Sequence, residues 1–108
     1  MTHISDEALL TSLGYKENML EELAKIKANT ANFNKVIKHV VGLNDNLKSL
    51  DALVAFSNTV HYIKFKSHSN NTELQAAFHE EIQKWADKYK ATIERVGDKD
   101  TYYLKSVA

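Results

Sequence analysis

The sequence of 108 residues contains no cysteine, no proline and only three glycines. Without cysteine, the chain can form no disulfide framework, no thiolate metal site and no cysteine nucleophile. The lack of proline and the scarcity of glycine favour long uninterrupted helices over a turn-rich β-sandwich. Net charge is also absent, because 14 basic side chains balance 14 acidic ones. This balance argues against a general binder of nucleic acid or of anionic membranes, which would carry excess positive charge.

Long hydrophobic runs are missing as well, since no stretch approaches the ~18 consecutive apolar residues of a membrane span. The first residues show no basic cluster followed by an apolar core, so we expect no signal peptide and a cytoplasmic location. Hydrophobic residues make up 44% and charged residues 26% of the chain, as in globular rather than disordered proteins. We expect residues 1–108 to form a single domain.

Apolar residues recur at alternating three- and four-residue steps in three segments, which indicates three long amphipathic helices. These are predicted over about residues 16–41, from about residue 47 to beyond residue 63, and over about 72–96. A shorter helix is predicted over Asp6–Leu13, with Ser5 as its N-cap and a glycine stop after it. The apolar face of the first long helix comprises Leu23, Ile26, Thr30, Phe33, Ile37 and Val40, and that of the last comprises Leu74, Phe78, Ile82, Trp85, Tyr89, Ile93 and Val96.

Loops of about five residues would make neighbouring helices antiparallel. The sequence therefore predicts an all-α fold, an up-down antiparallel helical bundle of three long helices plus a short N-terminal helix. One alternative stays open, because residues 59–66 also alternate between apolar and polar side chains as a strand does. In that case the fold is α+β, with Tyr62–Lys66 and Tyr102–Val107 paired as a small two-stranded element.

No combination of side chains indicates catalysis, a metal site or a cofactor. None of the five histidines has another histidine three or four residues away, the spacing that places two ligands on one helix face. The paired carboxylates Glu21-Glu22 and Glu80-Glu81 lie on faces predicted to be exposed, whereas an acid–base catalyst needs an apolar or like-charged cleft. The chain has no glycine-rich phosphate loop. We therefore expect a non-enzymatic protein with no cofactor and no metal.

The segment His61-Tyr62-Ile63-Lys64-Phe65-Lys66-Ser67 resembles the signature of histidine-phosphotransfer domains. In that signature, a phosphorylatable histidine is followed by an apolar residue at the second position, lysine at the third and glycine at the fourth. The resemblance implies a helical bundle in which His61 is the phosphoacceptor and Lys64 steadies the phosphoryl charge. Phe65 stands where the family has the glycine that lets a receiver domain approach.

Four aromatic residues are predicted either to form an exposed partner-binding patch or to cover one end of the bundle. They are Tyr62, Phe65, Tyr102 and Tyr103.

We interpret the protein as a small helical interaction module, regulatory, adaptor or chaperone-like, that acts through amphipathic helix faces. The alternatives are a histidine-phosphotransfer-like protein and a structural subunit of a homo-oligomer. The expected partner is another protein or a second copy in a homodimer, and neither nucleic acid nor a membrane.

Overall fold

The fold of residues 5–108, which a computed structural model describes, is α+β. Within these residues, four α-helices accompany a four-stranded antiparallel sheet, in which the first strand of the chain lies beside the second, the second beside the fourth and the fourth beside the third. The prediction of an all-α helical bundle is therefore wrong, and the α+β alternative is closer. The helices are α1 (Asp6–Ser12), α2 (Leu20–Asn29), α3 (Ile37–Leu47) and α4 (Thr72–Tyr89), and the strands are β1 (Ala52–Phe56), β2 (Ile63–Ser67), β3 (Ala91–Arg95) and β4 (Thr101–Val107).

The segment predicted as the second long helix is instead the hairpin of β1 and β2. Every second residue of both strands is buried, which is the two-residue period of a strand. Leu53 and Phe56 have a spacing that also fits a helix, yet they lie on opposite faces of β1. β2 pairs with β4, with Phe65 opposite Tyr102, and this is the pairing of the α+β alternative. The backbone pairing of β2 with two neighbouring strands thus decides the structure of this segment.

The helix predicted over residues 16–41 is divided into α2 and α3. Between them, Asn32 adopts the left-handed conformation, with φ of 60°, which asparagine enters more readily than most residues. The Asn32 side chain donates to the Val107 carbonyl (2.9 Å), and the Val107 N–H donates to the Ala31 carbonyl (2.8 Å). The break therefore lets the chain pair with the end of β4. The predicted apolar face is nevertheless buried at Leu23, Ile26, Thr30, Phe33, Ile37 and Val40.

The prediction for α1 is confirmed within one residue. The Ser5 hydroxyl accepts the Ala8 N–H (3.1 Å), as an N-cap does. Gly14 follows the helix with φ of 86°, and the Tyr15 N–H donates to the Leu10 carbonyl (2.8 Å), which closes the helix end.

Two other helix ends differ from the prediction. α3 continues through Gly42, where the sequence predicts a stop. α4 ends at Tyr89, because Lys90 adopts the left-handed conformation with φ of 55°. The last residues of the predicted helix form β3 instead, and this strand pairs with β4.

The helices cover one face of the sheet and leave the other open. On the covered face, the fully buried ring of Phe65 meets Trp85 of α4 edge to face, with ring centroids 5.5 Å apart. The open face carries the alternate residues Lys64, Lys66 and Tyr103, which are partly exposed. None of the helices within residues 5–108 is both long enough and apolar enough to cross a membrane.

The edge strand β1 has two outward N–H groups that are bound by side chains. The Asn44 side-chain oxygen accepts the Val54 N–H (3.0 Å), and the Tyr15 hydroxyl accepts the Phe56 N–H (3.0 Å). Asn44 is 6% exposed, and its amide also donates to the Ser12 carbonyl (3.4 Å). Edge strands usually leave such groups unpaired. Here two of them are satisfied by the helical layer.

Candidate functional site

A groove of about 420 Å³ lies on the open face of the sheet. Alternate residues of β2 and β4 form its floor, and its walls are the β1–β2 turn (residues 57–62) and the β3–β4 turn (residues 96–100). We call it the lysine groove. Its lining residues include Ser57, Thr59, Lys64, Lys66, Lys99 and Tyr103.

The alternation of β2 places two lysines on the floor of the lysine groove. Ile63 and Phe65 point into the core, so Lys64 and Lys66 point to the open face. In the sheet register, Lys64 lies opposite Tyr103 and Lys66 opposite Thr101. Because a strand rises about 3.4 Å per residue, the two lysines start about 6.8 Å apart on one face.

Three lysines of the groove have no carboxylate partner. No Asp or Glu oxygen in residues 5–108 lies within 4.0 Å of the ammonium group of Lys64, Lys66 or Lys99. Asp100 also lines the groove, but its carboxylate is 2.7 Å from His79 Nε2 and 3.8 Å from the Arg95 guanidinium. The groove therefore carries an excess of positive charge, although the whole chain is neutral.

Hydroxyl groups form one end of the lysine groove. The hydroxyls of Ser57 and Thr59 are 3.3 Å apart, and the Ser57 oxygen also accepts the N–H groups of Thr59 (3.3 Å) and Val60 (3.4 Å). Hydrogen bonds from the side chains of Thr59 and Ser57 lower the pKa of Tyr103; Lys64 and Lys99 act in the same direction, while burial opposes them. The Tyr103 phenol thus belongs to the same cluster of hydroxyls at this end of the groove.

His61, the phosphoacceptor implied by the family resemblance, lies in the β1–β2 turn. Its Nδ1 is 2.8 Å from the Glu22 carboxylate, and its carbonyl accepts a hydrogen bond from the Asn29 amide (3.2 Å). These contacts attach the turn to α2. Lys64 lies on β2, so His61 and Lys64 do not share a helix, and the helical setting implied by the resemblance is not found in residues 5–108.

The four aromatic residues of the predicted patch are divided between the two faces of the sheet. Tyr62 and Tyr103 lie on the open side with ring centroids 6.1 Å apart, and the Lys105 ammonium is 4.3 Å from the centroid of Tyr62. Phe65 is fully buried on the covered face. Tyr102 also lies on that side and contacts α4. The structure therefore brings together only Lys64, Tyr62 and Tyr103 among the predicted site residues.

A hydrogen-bonded chain connects α4 to the β3–β4 turn. His79 Nδ1 is 2.7 Å from the Tyr102 hydroxyl, and His79 Nε2 is 2.7 Å from the Asp100 carboxylate. In a neutral ring, Nδ1 accepts the Tyr102 O–H and Nε2–H donates to Asp100. This chain fixes the Asp100 carboxylate at the edge of the groove, where it forms no ion pair with the three groove lysines.

Sequence reasoning misses most of the groove. The alternation over Ile63–Lys66 predicts that Lys66 joins Lys64 on one face, once the segment is taken as a strand. No local pattern predicts the rest, because the β1–β2 and β3–β4 turns come to the two ends of one groove only through the pairing of β2 with β4. The missed groove residues are Ser57, Thr59, Lys66 and Lys99, and the missed neighbours are His79 and Asp100.

Among the described residues, no group of three or more His, Asp or Glu side chains is arranged to hold a metal ion. A scan against protein-family models, a search of the curated proteins and a search of the solved structures each found no match. The geometry and charge of the lysine groove are therefore the basis for inferring function.

Proposed function

We propose that the protein is a non-enzymatic interaction module that binds an acidic segment of a partner protein in the lysine groove. The observation that carries the proposal is the convergence of Lys64, Lys66 and Lys99 on one groove without a carboxylate partner. Like charges that face one groove repel one another, and a bound anion replaces this repulsion with attraction. Complementary charge of this kind steers a partner and selects against wrong ones.

The groove also offers hydrogen-bond donors to a carboxylate. The hydroxyls of Tyr103, Ser57 and Thr59 lie together at one end and can donate to an anion. Hydrogen bonds with one charged partner are roughly twice as strong as neutral ones. An acidic side chain is thus met by both an ammonium group and hydroxyls.

Tyr62 favours a protein ligand over a nucleic acid. Single-stranded nucleic acid is usually bound by stacking bases on free aromatic faces. The ring of Tyr62 is already contacted by the Lys105 ammonium, 4.3 Å from its centroid, and by the ring of Tyr103. The neutral chain also lacks the excess positive charge that such binding uses.

The ionisable groups beside the groove support binding rather than catalysis. A general base must be within hydrogen-bond reach of the proton that it removes. The Asp100 carboxylate is held by His79, and both ring nitrogens of His79 are occupied by Asp100 and Tyr102. Neither group is therefore free to activate the hydroxyl of Ser57 or Thr59.

Fluorescence polarisation with a labelled acidic peptide, four Glu-Ser repeats at low ionic strength, tests the proposal. An exposed ion pair contributes about 0.2–1 kcal/mol, so the double variant Lys64→Gln/Lys66→Gln should bind about two- to thirtyfold more weakly. The matched control is Lys25→Gln/Lys88→Gln, which removes the same charge from exposed positions of α2 and α4. Circular dichroism should show that both variants keep the wild-type fold.

Two outcomes would refute the proposed function. An equal loss of affinity in the control variant would mean that the peptide responds to net charge rather than to the lysine groove. If an oligothymidine of equal charge bound more tightly than the peptide, the ligand would be identified as a nucleic acid.

A further inference from the structure

We propose that the lysine groove selects an extended acidic segment in which the acidic residues alternate, with one residue between each pair. The inference rests on the proposed function and adds to it the spacing of the charges that are recognised. It follows from the strand geometry of Lys64 and Lys66 and from the hydroxyl that lies beside each of them.

The floor of the groove sets the spacing. Lys64 and Lys66 are separated by one residue on a strand, so they point to the same side about 6.8 Å apart. An extended peptide has the same rise, and its residues i and i+2 also point to one side at that distance. Acidic residues at i and i+1, or at i and i+3, point to opposite sides, so only one of them can reach the floor.

Each of the two lysines has a hydroxyl opposite it on β4. Lys64 lies opposite Tyr103, whose phenol is next to the hydroxyls of the β1–β2 turn. Lys66 lies opposite Thr101, beside the β3–β4 turn that carries Lys99. The groove thus contains two successive positions for a carboxylate, each with an ammonium group and a hydroxyl donor.

The groove runs along the strands that form its floor. The floor consists of β2 and β4, and the turns at residues 57–62 and 96–100 close its two ends, because β2 begins after the first turn and β4 begins after the second. An extended segment that lies along β2 therefore passes Lys64 and Lys66 in succession.

Two labelled peptides of identical composition test the spacing by fluorescence polarisation. The first is Glu-Ser-Glu-Ser-Glu-Ser-Glu-Ser, and the second is Glu-Glu-Ser-Ser-Glu-Glu-Ser-Ser, which contains no acidic pair at i and i+2. The wild-type protein should bind the alternating peptide about 1.4- to 5-fold more tightly, which corresponds to one additional exposed ion pair. The Lys66→Gln variant keeps only one of the two positions, so it should bind both peptides equally, whereas Lys88→Gln should keep the preference.

The outcomes separate this inference from the proposed function. Equal binding of the two peptides by the wild-type protein, with loss of both in Lys64→Gln/Lys66→Gln, would overturn the spacing and leave the acidic ligand in place. Binding of neither peptide would overturn both proposals. A preference that persists in Lys66→Gln would show that the two floor lysines do not set the spacing.

Discussion

Asn44 of α3 offers the sharpest test of how the helical layer supports the sheet. Its side-chain oxygen accepts the Val54 N–H at 3.0 Å, and its amide donates to the Ser12 carbonyl at 3.4 Å. Asn44 is 6% exposed and Val54 is 2% exposed, so this hydrogen bond is buried. The Asn44→Ala variant therefore leaves a buried N–H of β1 without a partner.

The expected cost follows from that unpaired group. A buried donor left without an acceptor costs about 1–3 kcal/mol. Alanine is the better helix former, which returns up to about 0.7 kcal/mol. Asn46→Ala is the matched control, because Asn46 is exposed on the same helix and gains the same helix propensity. The free energy of unfolding should therefore be about 2 kcal/mol lower in Asn44→Ala than in Asn46→Ala.

Urea unfolding followed by circular dichroism measures this difference, provided that both variants show the same m-value. For a chain of this size, about 2 kcal/mol corresponds to a Tm lower by about 8 °C. A difference below about 0.5 kcal/mol between the two variants is the usual scale of surface substitutions. Such a result would refute the reasoning, because it would mean that the Val54 N–H finds another acceptor at no cost.

Three further outcomes are expected. Phe65→Ala should lower the free energy of unfolding by about 3–5 kcal/mol, because the ring is fully buried; a loss below about 1 kcal/mol in urea unfolding would mean that Phe65 is exposed. The lowered pKa of Tyr103 means that its negative phenolate forms at a lower pH than in an ordinary tyrosine. As the pH rises, affinity for the alternating acidic peptide should therefore begin to fall at a pH below the ordinary tyrosine pKa of about 10, and less steeply in Tyr103→Phe; superimposable pH profiles would argue against this. Incubation with acetyl phosphate should not phosphorylate His61, because His61 lies in a turn and Lys64 on a strand instead of together on a helix of a bundle; an acid-labile phosphate that disappears in His61→Gln would contradict this.

Burial was more predictable from the sequence than secondary structure was. The three- and four-residue steps correctly identify the buried positions from Leu23 to Val40, because an apolar face must be buried whichever elements carry it. They do not predict the break between α2 and α3 at Asn32. This break contains neither proline nor glycine, and it depends on hydrogen bonds to the distant Val107. Lys90 also adopts a left-handed conformation, which ends α4 and which no sequence pattern predicts.

The hairpin of β1 and β2 shows why the fold class was missed. Five residues are too few to distinguish a two-residue period from steps of three and four. Whether this segment is strand or helix is decided by the pairing of Phe65 with Tyr102, which lies nearly forty residues away in the sequence. Local pattern could therefore yield the α+β arrangement only as an alternative. The groove, which needs that pairing to exist, could not be assembled from sequence alone.

The bonds from Asn44 and Tyr15 to the edge of β1 also limit how copies of the chain can associate. Of the two edges of the sheet, the edge at β1 already has two outward N–H groups bound by these side chains, and the other edge is β3. Two copies that join edge to edge would therefore meet at β3, and both ends of the combined sheet would then be β1 strands. A third copy would find no matching edge, so growth through the sheet stops at a closed two-fold pair instead of continuing into a filament.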